Sequence, residues 1–128
     1  MAVQSNEELI TAAYTAFNKR EIDKVLALFH PGVDWPNGME GGRVHGHAEV
    51  REYWLRQWSM LDPRVELVRI QDDRAGHTVV DVHQVVRDIS GNILVDQIVQ
   101  HVYTINDGLI ERMDIQTPVD SAPQKSSA

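Results

Sequence analysis

The chain has 128 residues, with 12 basic against 19 acidic side chains and a formal net charge of −7. That length fits one domain, and the acidic balance, without any Lys/Arg cluster, argues against nucleic acid and anionic membrane surfaces as partners. Cysteine is absent, which excludes disulfides, thiolate metal sites and cysteine nucleophiles; no run of about 18 apolar residues offers a membrane span, and the N-terminal MAVQSNEEL carries no secretory pattern, so a cytoplasmic location is expected.

The first predicted helix runs from Ser5 to Arg20. Ser5 and Glu8 have the Ser-x-x-Glu spacing of a capping box. Leu9, Ala13, Ala16 and Phe17 form an apolar stripe beside Ile10 and Tyr14. Glu21 to Phe29 reads as a second, short helix with Ile22, Val25, Leu26 and Phe29 inward, ended by His30-Pro31-Gly32. The glycine-rich stretch from Val33 to Val44 suggests a short strand near Val33–Trp35, a turn, and a return strand near Arg43–His45. A third helix, roughly Ala48 to Met60, places Val50, Tyr53, Trp54, Gln57, Trp58 and Leu61 to one side. From Pro63 onward everything reads as strand: VELVRIQDD, a turn at Arg74-Ala75-Gly76, HTVVDVHQVVRD, a turn at Ser90-Gly91, then a long strand and its return about Asn106-Asp107-Gly108. The order predicts an α+β domain over 1–116 with helices on one sheet face. The tail 117–128, small, polar and proline-containing, is expected to be disordered.

Hairpin loops fix register, and register fixes faces. A two- or four-residue loop at Ser90-Gly91 pairs Val86 with Val95, Gln84 with Gln97, Val82 with Val99 and Val80 with His101. The face that carries His101 and Tyr103 is then apolar with few polar groups, as a small-molecule pocket requires, and His83 goes to the other face. A three-residue loop would reverse this. At the next turn, a two-residue Asp107-Gly108 loop sets Asp114 opposite His101, whereas a three-residue loop sets Met113 there. The apolarity of Leu109, Met113 and Ile115 favours the second.

The stretches AFNKREIDKVLALFHPGVDW, GHAEVREYW and HVYTINDGLIERM, in that order, resemble the nuclear transport factor 2-like superfamily, in the SnoaL-like branch that includes polyketide cyclases and is related to ketosteroid isomerase. The resemblance covers about residues 6–116. It implies three N-terminal helices packed on the concave face of a curved, mostly antiparallel sheet of four to six strands, a cone-shaped, cystatin-like α+β barrel enclosing a pocket. It also implies a homodimer through the sheet. Ketosteroid isomerase uses an aspartate base with a tyrosine and a protonated aspartate as oxyanion donors. Carried over, the base position falls on Asn37 and the protonated aspartate on His101; the tyrosine position falls near Ala13, one place from Tyr14. Asn37 cannot accept a proton, so the resemblance supports a pocket rather than that mechanism. Asp34, close by, points outward by alternation from Val33 and Trp35.

The catalytic candidates are therefore His101, Asn37, Tyr103 and Tyr14. His101 would be a general acid/base, the others oxyanion stabilisers; the competing readings are a core histidine, a turn residue in Pro36-Asn37-Gly38, and amphipathic core tyrosines. Trp35, Trp54, Trp58, Gln84, Gln97, Val82, Val99 and Met113 are the expected ligand-binding set, with Gln84 and Gln97 pairing across strands. His30, Glu40, His45 and His47 invite a metal reading but lack a metal-binding framework. Gly38, Gly41 and Gly42 form no phosphate-binding loop. No metal and no cofactor are expected. The expectation is a pocket for a small, mostly apolar, oxygen-bearing molecule and cofactor-free isomerisation, cyclisation or dehydration, or else a non-catalytic ligand-binding or dimeric interaction domain.

Overall fold

The computed structural model describes residues 5–38, 40–73 and 76–116; the C-terminal tail considered above lies outside them. The elements in chain order are α1 (Asn6–Asn18), α2 (Ile22–Leu26), β1 (Phe29–Pro36), β2 (Arg43–His45), α3 (Gly46–Met60), β3 (Leu61–Asp72), β4 (Thr78–Asp88), β5 (Ile93–Asn106) and β6 (Leu109–Gln116). The two short strands therefore separate α3 from the first two helices. Six strands form one sheet in the order β2-β1-β6-β5-β4-β3. The β1–β6 pair is parallel and the others are antiparallel. With β2 and β3 as its edges, the sheet is open and does not close into the expected barrel.

Local chemistry accounts for these elements. Both bonds of the Ser5/Glu8 capping box form, at 3.1 and 3.0 Å, and start α1. The second helix is shorter than its sequence suggests. Phe29 opens β1, and Pro31 and Gly32 continue that strand instead of ending a helix. The β1–β6 register shifts between Phe29 and Asp34, so Pro31 sits where the ladder is interrupted and its missing N–H costs no sheet bond. At the other edge, the Asn18 carboxamide donates to the Val65 carbonyl at 2.7 Å and accepts from the Val65 N–H at 3.0 Å. It thereby substitutes for a neighbouring strand on the free side of β3.

Two bulges set the faces of β5. Asp88 accepts from Gly91 N–H at 3.0 Å and donates to the Asn92 carbonyl at 2.9 Å, with Gly91 at φ +94°. This is a three-residue loop with a left-handed closing glycine. Alone it would have turned His83 inward. The register shifts again between Val86 and Arg87, at a bulge on β5, and the expected pairs Val86–Val95, Gln84–Gln97, Val82–Val99 and Val80–His101 all form. The β5–β6 loop is the two-residue Asp107-Gly108 turn, both residues at positive φ. A shift after Ile105–Ile110 then pairs Tyr103 with Met113 and His101 with Ile115. Neither Asp114 nor Met113 stands opposite His101.

The core draws Leu9, Ile10 and Ala13 from α1, Val25 and Leu26 from α2, and Val50 and Trp54 from α3. These meet Val80 and Val82 of β4, Val99 and Tyr103 of β5, and Ile110 and Met113 of β6. Asp34 lies away from that core. It pairs with Arg43 and, at 2.7 Å, with Arg112, and both arginines reach Asp114, so charges tie β1, β2 and β6 together. Burial raises the Asp34 carboxyl, but the two arginines outweigh it and hold it below the usual carboxylate range.

Candidate functional site

A cavity of about 360 Å³ opens among the helices and the His101 face of the sheet. Five alternate residues of β5 line it in sequence, from Val95 through Gln97, Val99 and His101 to Tyr103. Period-2 alternation makes that row a single wall. The facing walls are largely aromatic: Trp35 stacks on Phe29 with ring centres 4.9 Å apart, and Trp54 meets Trp35 edge-on at 5.7 Å and Phe17 at 5.3 Å. None of the described residues lining the cavity is Asp, Glu, Lys or Arg.

Two sets of polar side chains lie along the β5 wall, one buried and one more exposed. At the buried end, Tyr103 donates to the Tyr14 hydroxyl at 2.9 Å, and Tyr14 is bonded to His101 Nδ1 at 2.8 Å. All three residues are buried and line the cavity. Helix α1 supplies Tyr14, and residues i and i+2 of β5 supply the other two. Burial lowers the His101 imidazole from 6.5 to about 4, so the ring is neutral at neutral pH. Burial likewise raises both tyrosines, and Tyr103 adds to the rise at Tyr14. The neutral trio carries three polar protons: two hydroxyls and one ring N–H. Two hydrogen bonds consume two of them. One proton remains, whichever ring nitrogen bears it; with Tyr103 donating to Tyr14 and Tyr14 to Nδ1, it is His101 Nε2–H. No described residue hydrogen-bonds Nε2. At the more exposed end, Gln97 Nε2 donates to Gln84 Oε1 at 3.4 Å; elsewhere in the lining, Gln57 donates to the hydroxyl of the buried Tyr53 at 3.2 Å.

The structure brings together His101, Tyr14, Tyr103, Trp35, Trp54, Gln84, Gln97, Val99 and Met113 around this space. It does not bring Asn37, Trp58 or Val82 to its wall. Asn37 is consumed by its turn: its side chain accepts from Glu40 N–H at 2.8 Å and donates to the Glu40 carboxylate at 3.0 Å. Trp58 stacks behind Trp54 at 5.8 Å, under the Arg20 guanidinium. Val82 has the expected facing but is wholly covered by core side chains. His83 lies on the opposite face, 2.7 Å from Asp96 and 3.4 Å from Glu66, which raise its basicity. The histidines of the metal reading are dispersed. His47 reaches the Phe29 carbonyl, His45 lies 3.5 Å from Asp34, and Glu40 pairs with Arg56. Phe17 and Gln57 were missed as lining residues. Helical spacing carries the signal, since each follows an inward tyrosine, Tyr14 and Tyr53, by three or four positions.

Comparison with known proteins agrees with this architecture. No curated protein matches the chain. Among solved structures, TerC co-crystallised with polyporic acid is 26% identical, with 96% of this chain and 98% of that one covered at a TM-score of 0.75. A candidate polyketide cyclase from Pseudomonas putida KT2440 is 17% identical, with 94% and 95% covered and a TM-score of 0.75. A protein of ketosteroid isomerase-like fold from Catenulispora acidiphila DSM 44928, in complex with trimethylamine, is 13% identical, with 96% and 95% covered and a TM-score of 0.72. The model of the SnoaL-like domain matches residues 10–113, from the first buried turn of α1 to the Met113 that faces Tyr103, and the chain belongs to that family.

Proposed function

We propose that the cavity binds a small, mostly apolar, oxygen-bearing molecule and that the domain acts on it without a cofactor, as an isomerase, cyclase or dehydratase. The observation that carries this is the single unconsumed proton of the neutral Tyr103–Tyr14–His101 chain in a cavity with no charged side chain among its described lining residues. A preorganised donor beside a carbonyl oxygen stabilises negative charge as it develops there, and low surrounding polarity strengthens it. His101 serves as a neutral donor and not as the general acid/base expected from sequence, because a ring held near 4 is not an imidazolium at neutral pH, so it has no acidic second proton to transfer and takes one up poorly. Tyr14 and Tyr103 position it. That solved relatives hold polyporic acid and trimethylamine supports a cavity for small organic molecules. In this reading the helices close the concave face of a curved sheet, supported by core residues from all three. A homodimer through the opposite face, where Ile98 is exposed, belongs to the same proposal; light scattering at the mass of one 14.5 kDa chain would refute that part.

A second reading, a non-catalytic ligand-binding module, is favoured by the lack of any carboxylate among the described cavity-lining residues. One experiment separates the two. The aryl ketone 4-acetylbiphenyl is titrated against the fluorescence of Trp35 and Trp54, and its methyl protons are followed by NMR in D₂O. Saturable quenching, weakened about tenfold in His101→Leu, is expected. Methyl exchange above background supports catalysis at the carbonyl, whereas binding without exchange assigns the module. Unchanged affinity in His101→Leu would remove the donor role.

A further inference from the structure

The amide pair at the exposed end has capacity left over. A glutamine side chain offers two N–H donors and a carbonyl with two lone pairs. Gln84 and Gln97 share one bond, at 3.4 Å, and no other hydrogen bond to their side chains occurs among the described residues. Whichever way the two amides are turned, one internal bond leaves one whole NH₂ group and one whole C=O unused. Both residues line the cavity, so the pair presents a donor and an acceptor side by side. A hydroxyl group gives one hydrogen bond and takes another, and it matches that pair. The buried end differs: its one free proton suits an oxygen that only accepts. Gln97 and His101 stand four residues apart on one strand face, about 13 Å along the backbone, with Val99 between them. Apolar and aromatic side chains, among them Trp54 and Phe17, make up most of the remaining lining.

We propose that Gln84 and Gln97 form a second recognition point that reads a hydroxyl, so that the cavity selects an uncharged, elongated hydroxy-ketone: carbonyl at His101, hydroxyl at the amide pair, a flat apolar body between. This rests on the preceding assignment of the buried end to a ligand carbonyl. No described lining residue carries a charged side chain, so an ionised group at the buried end would lose its hydration, and one at the amide pair would meet no counter-charge.

The test compares 4-acetyl-4′-hydroxybiphenyl with 4-acetylbiphenyl, which lacks only the hydroxyl, against the wild type and the double variant Gln84→Leu/Gln97→Leu. The wild type should bind the hydroxylated probe about three- to tenfold more tightly. The double variant should lose that preference while keeping its affinity for 4-acetylbiphenyl, which also shows that the cavity is intact. Equal affinity of the wild type for the two probes, or a preference that survives in the variant, would overturn the second recognition point and leave the buried end as assigned. Binding of neither probe to the wild type would instead strike the buried-end assignment, and this inference would fall with it.

Discussion

Acidification from about pH 7.5 to about pH 5 should cost the fold roughly 2 kcal/mol through His101 alone. Burial moves this ring from 6.5 to about 4 in the native state. Between those values the unfolded chain binds a proton that the folded chain refuses. The native value is the lower one, so the stabilisation is fully present above about 6.5, falls as the pH falls, and is exhausted only below about 4. The full difference between the two values corresponds to about 3 kcal/mol, of which roughly 2 is lost by pH 5. Other groups titrate in the same range. His83, raised by Asp96 and Glu66, contributes with the opposite sign: its stabilisation is present at low pH and lost as the pH rises. Asp34, Glu40 and Asp88 are lowered, so their contributions are lost further into acid.

A variant removes these common contributions. His101→Gln keeps an acceptor and a donor beside Tyr14 but cannot titrate. Urea unfolding of both proteins at the two pH values should show the wild type losing about 2 kcal/mol relative to the variant at pH 5. NMR of the His101 ring should give a midpoint near 4. Parallel stability profiles, or a midpoint near 6.5, would show that the ring is solvated well enough to charge normally. The neutral-donor assignment would then be wrong.

Tyr14→Phe should destabilise the protein more than Tyr103→Phe in urea melts, by about 1–3 against about 1 kcal/mol. The first strands both His101 Nδ1 and the Tyr103 hydroxyl, whereas the second leaves the Tyr14–His101 bond in place; equal costs would contradict the chain of bonds. Asn18→Leu deletes both bonds to Val65 at the β3 edge and should cost about 1–3 kcal/mol. It should also promote concentration-dependent association by light scattering, and a monodisperse, equally stable variant would show that the edge needs no such cover.

What could be read from sequence and what could not divide along a physical line. Alternation identified one face carrying Gln84, Gln97, His101 and Tyr103, and helical spacing directed Tyr14 and Trp54 toward it, because periodicity is a property of neighbouring residues. Whether a facing side chain meets a cavity or a wall depends on what lies above it. Val82 shares the face of Val99 and is wholly covered, and Trp58 shares the side of Trp54 but stands behind it. The basicity of His101 was equally out of reach, since it is set by burial, and the helix that meets the ring carries Tyr14, 87 residues away.

The bulges are the sharpest instance. Loop length alone would have given the β4–β5 hairpin the wrong faces, because Asp88 to Asn92 closes as a three-residue loop; one extra residue on β5 cancels the slip, and the expected pairs return. In the β5–β6 hairpin the two-residue turn is the one that Asp107-Gly108 encodes, yet the strand slips after Ile110, and Ile115 faces His101 where the turn alone would put Asp114. A bulge needs no special residue, only a partner strand that gains more contact from the shifted register than the lost ladder bond costs. Here the shift has a chemical consequence. Had Asp114 stood beside His101, its carboxylate would have raised the ring toward an imidazolium capable of acid catalysis. With Ile115 there and Asp114 turned to Arg43 and Arg112, the ring stays neutral and keeps one proton for the cavity. In the role proposed for His101, one inserted residue in β6 therefore separates a proton-donating acid from a neutral hydrogen-bond donor, on the same strand with the same neighbours in sequence.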